Sequence, residues 1–183
     1  MRRIFAALTA LCFSVGSADA AVTWDFEETA SGVFGTLSGS LDLTGATSYR
    51  TGPYSKALTP NYAVLSTGGD LSIFSGATGP KSFGTSNSKS PTVSGSLFYL
   101  YGAQGQYGVS NSYVSGSALS GTMNFAGATL ASLGLSEGSF VWTVPGDTIT
   151  LNFRTATPVP LPASLPLLLA ALGTGALLRR RRG

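Results

Sequence analysis

Between Ala21 and Thr157 this 183-residue chain holds 20 Gly, 22 Ser and 18 Thr, so 60 of 137 positions carry no side chain or only a short hydroxylated one. Each glycine inside a helix costs about 1 kcal/mol relative to alanine, and serine and threonine draw the backbone toward turns and strands. No 12-residue stretch in that span shows a 3.6-residue apolar period, whereas several alternate strictly. Val33, Leu37, Leu41 and Leu43 share one face with Gly35 and Gly39, while Thr36, Ser38, Ser40 and Asp42 share the other, which is the pattern of a half-buried strand. Phe140, Trp142 and Val144 alternate before Pro145-Gly146, and Ile149, Leu151 and Phe153 alternate after it, so this pair is expected to form an antiparallel hairpin. Leu97 to Tyr101 is apolar on both faces and suits a central strand; shorter candidates are Val22 to Glu27, Asn61 to Leu65, Leu71 to Phe74 and Tyr113 to Val114. About eight short strands, Gly-rich turns and 17 aromatic residues predict one all-β domain over residues 21–157, a single antiparallel β-sandwich of jelly-roll type.

Residues 37–47 are echoed by residues 119–129, identical at six of eleven positions, from Leu37-Ser38-Gly39 against Leu119-Ser120-Gly121 to Gly45-Ala46-Thr47 against Gly127-Ala128-Thr129. The echo suggests a strand and corner used twice, each ending in a glycine turn. It also places Asp42 opposite Asn124, but one carboxylate and one amide fall far short of the six to eight oxygens a calcium ion takes, and no metal site is expected.

Two segments lack clear strand patterning. Ala77 to Gly95 has only Phe83 and Val93 as large apolar anchors and is expected to be a long loop, by composition closer to disorder than to a functional loop. The stretch from Tyr101 to Tyr113 mixes Tyr107 with Gly102, Gln104, Gly105, Gln106 and Asn111, an amphipathic mixture suited to stacking on and hydrogen bonding to sugars, which makes Tyr101 and Tyr107 the candidate glycan contacts; an ordinary glycine-rich surface turn is the plainer account.

The chain has no histidine, and its one cysteine is Cys12, so Ser-His-Asp triads, Cys-His dyads and ordinary zinc sites are excluded beyond residue 12. Gly69-Asp70-Leu71-Ser72 resembles the nucleophile block of GDSL hydrolases with two letters exchanged, but no histidine exists to activate Ser72, and a turn is expected there. A two-carboxylate glycosidase needs only acids, and Asp25, Glu27 and Glu28 are the candidates; Asp25 and Glu27 on one strand face are the normal case of solvated surface acids. No catalytic residue and no cofactor are expected.

The ends of the chain carry targeting information. Arg2 and Arg3 precede an apolar stretch from Ile4 to Val15, and Ala18-Asp19-Ala20 supplies the small residues a signal peptidase requires, so residues 1–20 are expected to be a signal peptide and the mature chain to begin at Ala21. At the other end Pro158 to Ser164 leads into an apolar run from Leu165 to Leu178, closed by Arg179, Arg180, Arg181 and Arg182. With the preceding residues this run gives a transmembrane segment over about residues 161–178, and the arginines keep the C-terminus cytoplasmic. Setting both segments aside leaves five basic against seven acidic residues, a net charge of about −2 rather than the +3 of the whole chain, so no nucleic-acid partner is expected.

Val159, Pro160, Leu161, Pro162 and Ala163, followed by the apolar run and the arginines, resemble the PEP-CTERM family of bacterial sorting tails in its VPLPA variant; the resemblance covers residues 158–183. It implies recognition by an exosortase-like membrane protease that carries the catalytic residues itself, passage through the inner membrane, and delivery to the cell surface or an extracellular polysaccharide. The sortase signal L-P-x-T-G is a poorer match, because Ser164 and Leu165 stand where Thr and Gly belong. An unprocessed single-pass anchor is the plainer alternative. These features together give an exported, non-enzymatic surface or matrix protein, structural or adhesive, with a carbohydrate-binding module and a glycosidase as alternatives.

Overall fold

The computed structural model describes residues 21–156, and the expected signal peptide with Ala18 and Ala20, the sorting motif, the membrane segment and the arginine cluster lie outside them. The described chain is all-β: β1 (Ala21–Thr29), β2 (Gly32–Gly39), β3 (Thr47–Thr59), β4 (Val64–Ser75), β5 (Thr92–Gly95), β6 (Phe98–Tyr101), β7 (Gln106–Ser110), β8 (Gly121–Ala126), β9 (Gly138–Val144) and β10 (Asp147–Thr155). They form a six-stranded sheet in the order β5-β8-β2-β1-β10-β9 and a four-stranded sheet of β3, β4, β6 and β7. The inner faces of the two sheets meet in one core. Val22, Trp24 and Phe26 from β1 and Ile149, Leu151 and Phe153 from β10 face Leu65, Phe98, Leu100, Tyr107 and Val109 of the small sheet. Trp24 meets Phe98 across the gap at 6.3 Å between ring centroids.

The expected hairpin forms as an antiparallel pair, with Phe140 opposite Leu151, Trp142 opposite Ile149 and the turn at Pro145-Gly146. Two parts of the expected topology are corrected. The sheet is not wholly antiparallel, since β1 and β10 pair parallel over eight residues, from Ala21 opposite Thr148 to Glu28 opposite Thr155. Nor is the order that of a jelly roll, because the hairpins β1-β2, β3-β4, β6-β7 and β9-β10 each keep both strands in one sheet instead of forming interlocked Greek keys. The parallel seam has a consequence for the molecule's polarity. The described chain enters at Ala21 and leaves at Ala156 at opposite ends of the same sheet, about 26 Å apart at about 3.3 Å per residue.

Four local expectations also change. Asn61 to Leu65 and Leu71 to Phe74 do not form two strands: Pro60–Tyr62 is a 3₁₀ turn and everything from Val64 to Ser75 is β4, so Gly69 to Ser72 is ladder rather than turn. Strand β4 turns its side chains over at Gly68 and Gly69, whose φ values of 78° and 90° suit glycine, which is why Leu65 faces the inter-sheet core while Leu71 and Ile73 face outward. Tyr113 and Val114 lie in the loop between β7 and β8, not in a strand. The stretch from Ala77 to Gly95 is ordered, with Phe83 1% exposed and its backbone tied by Phe83 N to Pro60 O (3.0 Å), Thr85 N to Gly134 O (2.9 Å) and Lys89 N to Leu58 O (2.8 Å); its last four residues form β5.

The internal echo survives in burial and corner geometry but not in the ladder. Leu41 and Met123 are both fully buried, and Gly45 and Gly127 make equivalent turns (φ 76° and 68°) in which Ala46 N reaches Leu43 O and Ala128 N reaches Phe125 O. Residues 121–126 are strand β8, whereas of the matching residues 39–44 only Gly39 belongs to β2, and those after it keep only a bridge from Ser40 to Ala118.

Candidate functional site

At the end of the sandwich where the chain enters, residues 111–119 fold back over residues 39–43. Three serines are this loop's commonest residues; apart from Leu119 and Tyr113, which pack on the core, it is held by polar bonds. The Tyr113 hydroxyl accepts the Leu41 N–H (2.8 Å) and donates to Ser117 O (2.6 Å). The Ser115 hydroxyl accepts the Leu43 N–H (2.8 Å) and donates to Asp42 Oδ1 (3.0 Å). Gly116 N donates to Leu41 O and Leu119 N to Gly39 O. Asp42 also accepts the Thr44 N–H, and these bonds, the Thr44 backbone N–H first, hold its carboxyl below the usual carboxylate range. The buried Asp147 completes the corner by accepting the Asp42 N–H (2.8 Å) through Oδ2 and the Thr148 N–H through Oδ1.

This bracing leaves a groove of about 380 Å³ between the loop and the start of β6, within the range of small-ligand sites. Ser96 and Leu97 form one wall, Ser110 closes the β7 end, and Ser112, Tyr113, Val114 and Ser117 form the other wall; no charged side chain lines it. Val114 is 69% exposed. The groove continues onto the outer face of the small sheet through Leu97, which packs with Tyr54 and Tyr101 against Leu71, Ile73 and Tyr99. The Tyr54 and Tyr99 rings lie 4.8 Å apart, and Arg50 covers Tyr54 with its guanidinium 5.2 Å from the ring centroid and its Nε 2.6 Å from the hydroxyl. Burial, then the neighbouring Tyr54 and Tyr101, push the Tyr99 hydroxyl up to about 12.

The two tyrosines singled out from the sequence part company here. Tyr101 is half-buried on that outer face, but Tyr107 is fully buried between the sheets, against Phe74, and cannot stack on a sugar. The reason is register: in the β6-β7 hairpin Tyr107 stands opposite Leu100, on the core face, and Tyr101 stands opposite Gln106. The residues missed by sequence reasoning are the hydroxyls around Tyr113 and the Arg50-Tyr54 pair. The serines at 110 and 112 and at 115 and 117, two i, i+2 pairs on either side of Tyr113 and Val114, were the available signal.

The acidic candidates are spread over separate structural tasks. Asp25 Oδ1 accepts from Asn152 Nδ2 at 2.9 Å, Glu27 lies 4.0 Å from Arg154 on the solvent face, and Glu28, on the other face, caps a turn by accepting the Leu130 N–H at 2.7 Å. Ser72 donates to Asn111 Oδ1 at 2.9 Å. Asn124 is paired opposite Phe34 and Thr92 within the large sheet, apart from the Asp42 corner. Among the described residues no three His, Cys, Asp or Glu side chains gather as metal ligands would. No family model matches the chain, and neither a curated protein nor a solved structure shows significant similarity to it.

Proposed function

We propose that this chain is an exported, non-enzymatic protein of the cell surface or extracellular matrix, with a structural or adhesive role, delivered by an exosortase-like system. The observation that carries this reading is the fit between fold and processing signals. The described strands run from Ala21 to Thr155, between the expected cleavage after Ala20 and the VPLPA-like motif that begins at Val159, so neither expected cut falls within them. The mature domain carries no cysteine, so its stability in an oxidising compartment rests on the two-sheet core and its ladders rather than on disulfides. Signal peptidase and the exosortase-like protease are the processing partners, and an extracellular polysaccharide is the surrounding this tail type implies.

The test is intact-mass measurement of the protein recovered from the cell surface or medium. The expected product begins at Ala21 and lacks the apolar tail, shorter than the anchored form by about 20 residues or roughly 2 kDa. Recovery of a surface form still carrying residues 165–182 would overturn the sorting part and leave a plain membrane anchor. Neutral replacements at Arg179 to Arg182 are expected to leave export intact and impair retention and processing, read by fractionation and mature size.

A further inference from the structure

We infer that the groove between the 111–119 loop and β6, extended along the outer face of β6 and β7 to Tyr101, is a binding site for a neutral, hydroxyl-rich polysaccharide. The inference rests on the exported, adhesive reading above and gives it a ligand class.

The chemistry of the surface selects the ligand. A pyranose chain offers C–H faces and hydroxyl edges in alternation, and the strip offers the same two features. Leu97, Val114 and Tyr101 supply apolar and aromatic surface, while Ser96, Ser112 and Ser117 supply hydroxyls that both donate and accept. No charged residue lines the groove, and Arg50, beside the outer strip, is engaged by Tyr54, so an acidic polymer gains little there by charge pairing, and a protein partner would find little of the apolar centre that anchors protein interfaces. From Leu97 to Tyr101 the strip runs about 13 Å at about 3.3 Å per residue, long enough for an extended oligosaccharide rather than a single sugar.

Two further observations support a ligand-bearing role. The groove is pre-formed: Tyr113 and Ser115 are pinned to residues 41–43, so a ligand does not have to order the wall it binds. It also sits at the entry end of the sandwich, where Ser40 is bonded to Ala21 and bridged to Ala118, about 26 Å from the end at which the chain leaves toward the sorting tail. Cleavage in the tail therefore leaves the groove untouched.

The test is affinity electrophoresis of the protein recovered from the cell surface, or of the full chain in mild detergent, through gels containing dextran, hydroxyethylcellulose, galactomannan or alginate. Retardation by at least one of the three neutral polymers is expected, weakened at least 10-fold in a Ser112→Glu/Val114→Glu variant and about 5-fold in Tyr101→Ala. Both loop positions are exposed, so the double variant is expected to keep its thermal midpoint and stands as the test even if Tyr101→Ala fails to fold. Val141→Glu, on β9 of the other sheet and 46% exposed, is expected to bind as wild type does. No retardation in any neutral gel, retardation by alginate alone, or retardation that the loop variant leaves unchanged would each overturn the inference. Fractionation of the same cells reports export separately, so failure to bind and failure to be delivered are told apart.

Discussion

Between the sheets, Phe26 stacks on Trp24 at 5.6 Å and on Phe153 at 5.0 Å, Phe153 meets Phe83 at 5.2 Å, and Phe83 meets Trp142 edge-on at 6.4 Å. On the outer face of the small sheet Leu71 and Ile73 are just as inaccessible, yet what covers them is Tyr54, Tyr99, Tyr101 and Leu97. The inner cluster is walled by two sheets, whereas the outer one is walled by one sheet and roofed by Tyr54, Leu97 and Tyr101, which are themselves only partly buried. The difference teaches what each can bear. A truncation in the inner core leaves a hole that rigid ladders cannot close, while the roof outside can settle onto a smaller residue. It also explains why a binding surface can grow from the outer cluster: tyrosine presents an apolar body and a hydrogen-bonding tip at the same place.

The sharpest way to break this comparison is Trp142→Ala. Trp142 is fully buried, edge-on to Phe83, and its indole N–H donates to Pro80 O at 2.8 Å, so the change removes a large ring and leaves a part-buried carbonyl without its donor. A loss of about 3 to 5 kcal/mol is expected by denaturant titration. A loss below about 1 kcal/mol would show that the inner core relaxes as freely as the outer cluster.

Next in size is Gly84→Ala, which tests the ordered crossing between β4 and β5. A Cβ built on Gly84 would lie 1.9 Å from Gly134 O, a backbone atom with no rotamer to escape through. A cost of about 1 to 3 kcal/mol is expected, accompanied by faster amide exchange at Phe83 and Thr85, whose N–H groups are bonded on either side of it. Unchanged exchange would mean that this stretch is independent of the core it touches. Leu71→Ala probes the roof and is expected to cost about 2 kcal/mol, at the low end for a buried leucine, because Tyr54 and Leu97 can close over the gap.

The legible parts of the fold were those whose alternation runs against one partner face. The β9-β10 hairpin was readable because Phe140, Trp142 and Val144 mirror Ile149, Leu151 and Phe153 across a two-residue turn. Strand β3 was not, since from Thr47 to Thr51 all its side chains are exposed and Gly52-Pro53 interrupts it; it is a strand because it lies at a sheet edge, where Pro53 owes no ladder bond. The parallel seam of β1 and β10 joins residues as far apart as Asp25 and Asn152, and local patterning holds no record of such a pairing. In β4 the period is intact but its meaning reverses at Gly68-Gly69, so parity alone puts Leu65 and Leu71 in the same core when they lie in different ones. The site was half legible for the same reason. Tyr101 and Tyr107 look alike in composition, and only the register of their hairpin shows that one faces outward and the other is buried.

The smallest effect at neutral pH and the most selective test of the roof is Tyr99→Phe. Burial raises the Tyr99 hydroxyl from its ordinary value near 10 to about 12. Below pH 10 both folded and unfolded chains keep this proton, and its contribution to stability is fully present. As the pH rises from 10 toward 12 the unfolded chain releases the proton first, so folding loses that contribution progressively and has lost it once the pH passes the folded value. Burial shifts Tyr107 and Tyr113 in the same direction, so the wild-type protein is expected to weaken along this whole window. Phenylalanine keeps the ring against Tyr54 and cannot ionise. At neutral pH the substitution is expected to change stability by less than about 1 kcal/mol, since no hydrogen bond of that hydroxyl holds the cluster together. Between pH 10 and 12 its urea midpoint is expected to fall less steeply than the wild type's, while the slope of Tyr107→Phe reports the inner core alone. Parallel slopes for Tyr99→Phe and wild type would show that Tyr99 is wetted and that the outer cluster is a loose surface patch, not a second small core.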